Sequence, residues 1–171
     1  LETAEPVAPV VGDERVYVAG WDRIAALEKR NGGVVWEDDG GVHERLAFDG
    51  ERLYASKGDL RALDAATGEE AWSYSPAASA ASVVDDTVYV GTDDGRLVAL
   101  KRGGTGPLDG RERWSLSLGR YVGHSLAATD HRAYCPVTRD DGLMSLTVVA
   151  DANLAGTATG DTTARAGGES T

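Results

Sequence analysis

The sequence predicts an all-β fold built from about four repeated units, each a four-stranded antiparallel sheet. The first observation is a motif that occurs three times: alanine, leucine and a polar residue, then a turn with glycine, and a tryptophan four residues after that glycine. The second is a short strand pattern with a central tyrosine that precedes each copy. Self-similarity at a fixed period of this length indicates a repeat architecture.

The repeated residues define the unit. The glycines of the motif are Gly32, Gly68 and Gly110, and the tryptophans are Trp36, Trp72 and Trp114. The strand tyrosines are Tyr17, Tyr54, Tyr89 and Tyr134, spaced 37, 35 and 45 residues apart, and the last opens a degenerate fourth copy. We expect each tryptophan ring to cover the neighbouring unit while its N–H finds a buried partner. The glycine supplies the positive φ that a tight turn between strands requires.

The third unit shows the strand pattern most clearly. Its strands are predicted at residues 81–84, 87–91, 96–100 and 111–116, with a hairpin signal at Asp93-Asp94-Gly95. No segment of the chain has sustained helical spacing. Four-stranded units of about 36 residues are blades of a β-propeller.

The repeats set the domain organisation. We predict a propeller domain over residues 1–153, with blades at about 7–40, 41–76, 77–118 and 119–153. Residues 154–171 are rich in Gly, Thr, Ala and Ser and have no apolar periodicity, so we expect a disordered tail.

The composition excludes several classes of partner. The net charge is −11, with 28 acidic and 17 basic residues, and only Lys29, Lys57 and Lys101 are lysines. An acidic excess argues against binding to nucleic acid or to anionic lipid. No stretch approaches the ~20 apolar residues of a membrane span, so we expect no direct membrane insertion. Scarce lysine, a single Phe and many acidic pairs indicate adaptation to high salt, as in a halophilic archaeon.

Two catalytic patterns are better explained by the strands. Ser125, Asp130 and His131 follow the chain order of a hydrolase triad, but the segment around Ser125 aligns with the first strand of a blade. A metal site at His124, His131 and Cys135 is the other possibility. Cys135 occupies a small inward-facing strand position, and we interpret it as a small apolar residue. The pairs of Asp before Gly95 and Gly142 are interpreted as hairpin turns rather than calcium loops.

His43 and His124 are the candidates for an axial ligand site. Each lies six residues before the turn aspartate of its blade, on the innermost strand that lines the central channel. They are the residues to test first if a ligand binds on the axis. The alternative, which we favour, is a coincidence between two half-exposed polar positions.

The motif resembles that of a known repeat family. Residues 62–72 match Ala-x-Asp-x-x-Thr-Gly-x-x-x-Trp at every specified position, and residues 26–36 match it with Glu28 and Asn31 substituted. The third copy has an insertion near residues 103–107 and Lys101 in place of the acid. The pattern is similar to the tryptophan-docking motif of the pyrroloquinoline-quinone (PQQ) repeat propellers, and the resemblance covers about residues 7–150.

The resemblance implies two functional classes. Some members are eight-bladed quinoprotein dehydrogenases that hold PQQ and Ca²⁺ on the propeller axis, and others are scaffolds in membrane-protein assembly without a cofactor. The dehydrogenase site is associated with vicinal cysteines, whereas this chain has only Cys135. We therefore predict a non-catalytic binding or scaffold module without a cofactor. The alternatives are part of a quinoprotein dehydrogenase, or a truncated relic without independent function.

The number of blades implies a partner. Family rings have seven or eight blades, whereas about four are visible here. We therefore expect self-association, a protein partner or blades outside this sequence to complete the ring. The resemblance implies an extracytoplasmic or membrane-associated location, and without it a cytoplasmic one would be expected.

Overall fold

The computed structural model describes residues 5–43, 45–77, 79–103, 110–122 and 124–150, without the side chains of His124 and Ser125. This part of the chain contains only β-strands, which confirms the predicted all-β fold. It has no helix that could cross a membrane. The predicted tail at 154–171 and most of the insertion near 103–107 lie outside the described residues.

Eighteen strands are present in the described residues. They are β1 (Val10–Val11), β2 (Arg15–Ala19), β3 (Ile24–Glu28), β4 (Val34–Asp38), β5 (Ala47–Phe48), β6 (Arg52–Ser56), β7 (Gly58–Asp64), β8 (Glu70–Ala77), β9 (Ser79–Ala80), β10 (Ser82–Val84), β11 (Thr87–Gly91), β12 (Arg96–Lys101), β13 (Glu112–Ser117), β14 (Tyr121–Val122), β15 (His124–Ser125), β16 (Ala127–Ala128), β17 (Arg132–Thr138) and β18 (Met144–Ala150).

The strands form four consecutive antiparallel sheets, so the predicted count of about four blades is confirmed. Strands β1–β4, β5–β8 and β10–β13 make blades 1, 2 and 3, each in sequence order. In blade 4, β14 and β16 both pair with one edge of β17, and β18 pairs with the other. The short strands β9 and β15 pair in parallel between blades 3 and 4.

The strand register repeats from blade to blade. In blade 1, Tyr17 lies opposite Ala26, which lies opposite Trp36. The same rows are Tyr54, Ala62 and Trp72 in blade 2, and Tyr89, Ala99 and Trp114 in blade 3. We call the face that carries the tyrosine and tryptophan the forward face of a blade, and the opposite one its back face.

The core consists of three layers between successive blades. Each layer joins the forward face of one blade to the back face of the next. In the first layer, Tyr17, Ile24 and Trp36 of blade 1 pack against Leu53 and Leu63 of blade 2. Blades 2 and 3, and blades 3 and 4, repeat this arrangement. Stability therefore depends on contacts between neighbours, as in other repeat proteins.

The tryptophan of blade 1 contacts the backbone of blade 2. Trp36 Nε1 donates a hydrogen bond of 3.1 Å to the Ala65 carbonyl, to which Arg15 Nη1 donates a second one of 2.8 Å. The indole lies directly over Gly68, where an added Cβ would come within 2.8 Å of the ring. Gly68 has a φ of +79°, a conformation that glycine adopts without strain.

Blades 2 and 3 repeat the contact with different residues. Trp72 Nε1 donates to the Arg102 carbonyl at 3.1 Å, and Arg52 Nη1 donates to the same carbonyl at 2.8 Å. The Trp72 indole lies over Gly110, where an added Cβ would come within 2.6 Å of it. Trp114 Nε1 is buried and has no partner among the described residues. The equivalent carbonyl of blade 4 belongs to position 151, outside the described residues.

Replacing the contacted glycine should cost more than replacing its uncontacted equivalent. Gly32 and Gly68 have similar φ angles, +74° and +79°, but an added Cβ at Gly32 meets nothing within 4 Å. We expect Gly32→Ala to lower the free energy of unfolding by roughly 1–2 kcal/mol, the strain of a positive φ. Gly68→Ala should cost roughly 1–3 kcal/mol more, because its Cβ also displaces Trp36.

Urea denaturation followed by tryptophan fluorescence measures both variants. Since the backbone strain is matched, the difference between them reports the indole contact alone. Equal losses for Gly32→Ala and Gly68→Ala would show that the indole is not held against this turn.

Candidate protein-interaction surfaces

An ion pair crosses the junction between blades 1 and 2. Arg61 of β7 contacts Asp38 of β4 through two parallel hydrogen bonds of 2.7 and 2.8 Å, and its Nε donates to Glu70 at 2.8 Å. Such forked pairs are the stronger kind of charged hydrogen bond. The guanidinium lowers the pKa of the Asp38 carboxyl, while its partial burial opposes the shift.

A second polar link joins blades 2 and 3. The Asp49 carboxylate, almost fully buried, accepts hydrogen bonds of 2.6 Å from the Tyr54 hydroxyl and from Arg102 Nε. Burial acts to raise the pKa of Asp49, but the bonds from Tyr54, the backbone and Arg102 outweigh it, and the pKa is lowered. The pKa of Tyr54 is raised by burial and by Asp49. The network ties the turn of blade 2 to the third strand of blade 3.

The forward face of blade 4 is open. Leu146 occupies the position of Ile24, Leu60 and Leu97 in the other blades, as the strand register shows. Those three side chains are fully buried by the following blade, whereas Leu146 is 62% exposed. Tyr134 and Val148 beside it are only partly buried. We call Arg132, Tyr134, Pro136, Leu146 and Val148 the open forward face.

The back face of blade 1 is open at the other end of the row. Val16, Val18 and Leu27 are partly buried, whereas their equivalents in blade 2 are fully covered by blade 1. We call these three residues, with the carbonyl of Lys29 and Gly32, the open back face. Lys29 and Gly32 correspond to Ala65 and Gly68 of blade 2. A cleft of about 510 Å³ lies beside this blade edge, lined by Asp13, Glu14, Arg15, Glu28, Lys29, Arg30 and Val35.

The two histidine candidates are not brought together by the described residues. His43 is exposed, its ring lies 5.6 Å from that of Trp21, and its backbone N–H donates to the Ser56 carbonyl. The backbone of His124 pairs with Ser79 in the inner strands, and its side chain lies outside the described part. An axial role for either residue stays a prediction.

The other catalytic patterns have structural roles. His131 is 82% exposed and pairs with Asp130 at 3.2 Å in a turn. Cys135 is fully buried in the layer between blades 3 and 4, and burial raises the pKa of its thiol to about 12. Asp94 binds Thr92 and Arg96 within its own hairpin. Among the described side chains no group of three or more metal-ligating residues occurs.

The row of four blades, joined forward face to back face, makes the described chain part of a β-propeller of PQQ-type repeats. The chain belongs to the family described as outer membrane protein assembly factor BamB, whose sequence model matches residues 2–155. The predicted resemblance to the PQQ-repeat family is thereby confirmed.

Individual relatives match this chain over stretches of different length. A stretch of 67 residues is 42% identical to the outer membrane protein assembly factor BamB of Kangiella koreensis, covering 37% of this chain and 17% of that protein. The solved BamB of Moraxella catarrhalis has a TM-score of 0.70 at 19% identity, covering 85% of this chain and 46% of that one. The chain thus spans less than half of these relatives.

A second solved relative is an enzyme. The quinohemoprotein alcohol dehydrogenase ADHIIG of Pseudomonas putida HK5 has a TM-score of 0.65 at 19% identity. The match covers 86% of this chain and 32% of the dehydrogenase. At this identity the likeness shows a shared fold and does not separate the two functional classes.

The polar links were not predicted from the sequence. By its place in the repeat Asp49 is a turn residue, and its partner Arg102 is 53 positions away. One signal was available, because Arg15 and Arg52 occupy the same place before the strand tyrosine in blades 1 and 2. That recurrence marks the arginines that bind the carbonyl of the next blade.

The ion pair between Asp38 and Arg61 should make stability depend on pH. The folded-state pKa of Asp38 lies below its ordinary value of 3.8, so the pair contributes fully above about pH 4. That contribution is lost as the pH falls through the lower, folded value. We expect Asp38→Asn to lower the free energy of unfolding by roughly 1–3 kcal/mol at pH 7 and by progressively less at acidic pH.

Urea denaturation at a series of pH values from 7 to 2.5 measures this effect. The control is Asp39→Asn, since Asp39 is the exposed neighbour of Asp38. A loss for Asp38→Asn that stays constant across the series would show that the charge of this carboxylate does not stabilise the blade junction.

Proposed function

We propose that the chain is a non-catalytic scaffold that binds proteins, of the outer-membrane-assembly type. The observation that carries the proposal is the pair of open blade faces, one at each end of the row. Each is built like the internal faces that are covered, and exposed apolar surfaces of this kind are characteristic of protein contacts. Family membership supports the same function, since the family is described as an assembly factor.

The residues available for chemistry support a non-catalytic role. The thiol of Cys135 is buried, and the hydrolase-like triad residues belong to a strand and an exposed turn. The perturbed carboxylates Asp38 and Asp49 are both engaged in links between blades. Structural ion-pair networks also shift the pKa values of their members, so the lowered pKa values of these two carboxylates are explained by the links between blades.

We further propose that a second copy of the chain completes the ring. The open forward face presents Arg132 and Tyr134 in the places from which Arg15 and Tyr17 bind the Ala65 carbonyl. The open back face offers the Lys29 carbonyl at the position equivalent to Ala65. Two copies joined head to tail would have eight blades, a number at which propellers of this family close. Such a head-to-tail contact gives a closed ring rather than a filament when the rotation between copies closes after the second one.

A charge on the open forward face should prevent this association. Leu146→Asp places a carboxylate where a second copy would bury it, so we expect the association constant to fall at least about tenfold. The control is Leu143→Asp, because Leu143 is similarly exposed at 66% but lies in the turn before β18. Sedimentation equilibrium in 0.15 M and 2 M KCl compares the variants with the unmodified chain, since the composition predicts adaptation to salt.

A chain that remains monomeric at every concentration and salt would contradict completion by a second copy. The scaffold function would then depend on blades or partners outside this sequence. Equal effects of Leu146→Asp and Leu143→Asp would contradict the predicted interface.

A titration with PQQ distinguishes the scaffold from a dehydrogenase fragment. We expect no saturable quenching of Trp21, Trp36, Trp72 and Trp114 when PQQ is added in molar KCl, with or without Ca²⁺. Circular dichroism of the same samples establishes that the protein is folded. Saturable, Ca²⁺-dependent quenching would contradict the non-catalytic proposal and favour the quinoprotein class.

A further inference from the structure

Asn31 and Gly32 form the one Asn-Gly pair in the sequence. In such a pair the main-chain nitrogen of glycine is able to attack the side-chain amide of asparagine, because no glycine side chain hinders the approach. Asparagine is for this reason a chemically labile residue. The other asparagine of the chain, Asn153, precedes Leu154, whose side chain hinders the same attack. Asn31 is therefore the residue of this chain most disposed to lose its side-chain amide spontaneously.

The turn between β3 and β4 holds the attacking nitrogen. Gly32 N–H donates a hydrogen bond of 2.8 Å to the Glu28 carbonyl, and Glu28 N–H donates one of 2.7 Å to the Gly33 carbonyl. Gly32 adopts a φ of +74° to close this turn. A nitrogen whose N–H is bound inside the turn is not available as a nucleophile, so the turn must open before the attack takes place.

The side-chain amide of Asn31 is held at both ends. Its Oδ1 accepts a hydrogen bond of 2.8 Å from the Gly33 N–H, and its Nδ2 donates one of 2.7 Å to Glu28 Oε2. Bonds from an asparagine side chain to the backbone two residues on are a common way to stabilise a turn. Asn31 is exposed, so water reaches the amide. The closed turn thus restrains both reacting groups, the nitrogen through the Glu28 carbonyl and the amide through the Glu28 carboxylate.

We propose that Asn31 is a site of spontaneous covalent modification, and that opening of the turn at residues 28–33 controls its rate. In the open turn Gly32 N gives up its proton and bonds to Asn31 Cγ. The Cγ–Nδ2 bond breaks, and Nδ2 takes up a proton from water and leaves as ammonia. The resulting five-membered imide adds one water across either of its C–N bonds, which leaves aspartate or isoaspartate at position 31. No group is oxidised or reduced, and water is the only co-reactant.

The modification alters a turn of the kind on which the blades dock. Isoaspartate places an extra methylene in the main chain between positions 31 and 32. The turn then no longer has the spacing that brings the Gly32 N–H to the Glu28 carbonyl. In blade 2 the equivalent turn contains Gly68, on which the Trp36 indole packs. The inference therefore concerns the chemical stability of a docking turn and goes beyond the proposed scaffold function.

Peptide mapping by mass spectrometry follows the reaction in the full chain, kept folded in molar KCl at pH 9, where the glycine nitrogen loses its proton more readily. The reference is the peptide of residues 26–36, which has no neighbouring blade to hold its turn. We expect the folded chain to form the two products at position 31 about tenfold more slowly than the peptide, because three hydrogen bonds must open first.

Two outcomes of this comparison would overturn the proposal. Equal rates in the folded chain and the peptide would show that the turn does not control the reaction. Absence of product at position 31 over an incubation of roughly a hundred half-times of the peptide would show that the folded chain does not react there. Circular dichroism before and after the incubation establishes that the chain stays folded.

Variants at Glu28 test the control by the turn. Glu28→Ala removes the carboxylate that holds Nδ2, so we expect the reaction in the folded chain to become at least about threefold faster. Glu28→Gln keeps an acceptor oxygen on the same side chain, and its rate should stay within about twofold of the unmodified chain. Equal acceleration by both variants would contradict the hydrogen bond as the restraint, because the charge of Glu28 would then be the cause.

A variant in blade 3 separates opening of the turn from global unfolding. Gly110→Ala disturbs the contact with the Trp72 indole and leaves every bond of the turn at residues 28–33 in place. We expect its rate of modification at position 31 to equal that of the unmodified chain, because the turn opens locally. An acceleration as large as that of Glu28→Ala would show that the reaction follows global unfolding, and the proposed control by the turn would be wrong.

Discussion

The hydrogen bond from an indole N–H to a main-chain carbonyl of the next sheet is the contact on which the rest of the structure depends. Flat sheets can slide over one another without much loss of apolar contact, because the hydrophobic effect is not directional. The bonds from Trp36 to Ala65 and from Trp72 to Arg102 remove that freedom. A buried N–H without a partner costs roughly 1–3 kcal/mol, so blades 1 and 2, and blades 2 and 3, each have one strongly preferred position.

The glycine beneath each indole is a consequence of the same contact. The ring must approach the turn closely for its N–H to reach the carbonyl, and it lies where a side chain at Gly68 or Gly110 would be. Both glycines also adopt a positive φ, so one residue satisfies a steric and a conformational requirement. Gly32 has the conformation without the contact. The positive φ of the turn therefore does not depend on the indole, which packs on a turn that the local sequence already favours.

Much of the fold could be predicted from the sequence because the repeats carry local signals. Alternating strands, turn glycines and the spacing of Trp36, Trp72 and Trp114 all act within one blade or its nearest neighbour. The links from Asp38 to Arg61 and from Asp49 to Arg102 could not be predicted this way. Each occurs once, between residues far apart in the chain, so no period reveals it. The contact between the rings of His43 and Trp21 could not be predicted from the repeat pattern either.

The arginines connect the composition to the architecture. Arg15, Arg52, Arg61 and Arg102 each bind a group on a neighbouring blade, two of them a carbonyl and two a carboxylate. The planar guanidinium of arginine suits both kinds of acceptor better than the compact ammonium of lysine. The contacts between blades therefore give a structural reason for the preference for arginine over lysine.

Arg132 is the arginine at this position in the last described blade. It occupies the place of Arg15 and Arg52 on the open forward face, yet its side chain is exposed. In blades 1 and 2, which have both this arginine and a following sheet, the arginine binds a carbonyl of that sheet. The last blade thus presents a donor arranged for a carbonyl that a further sheet would supply.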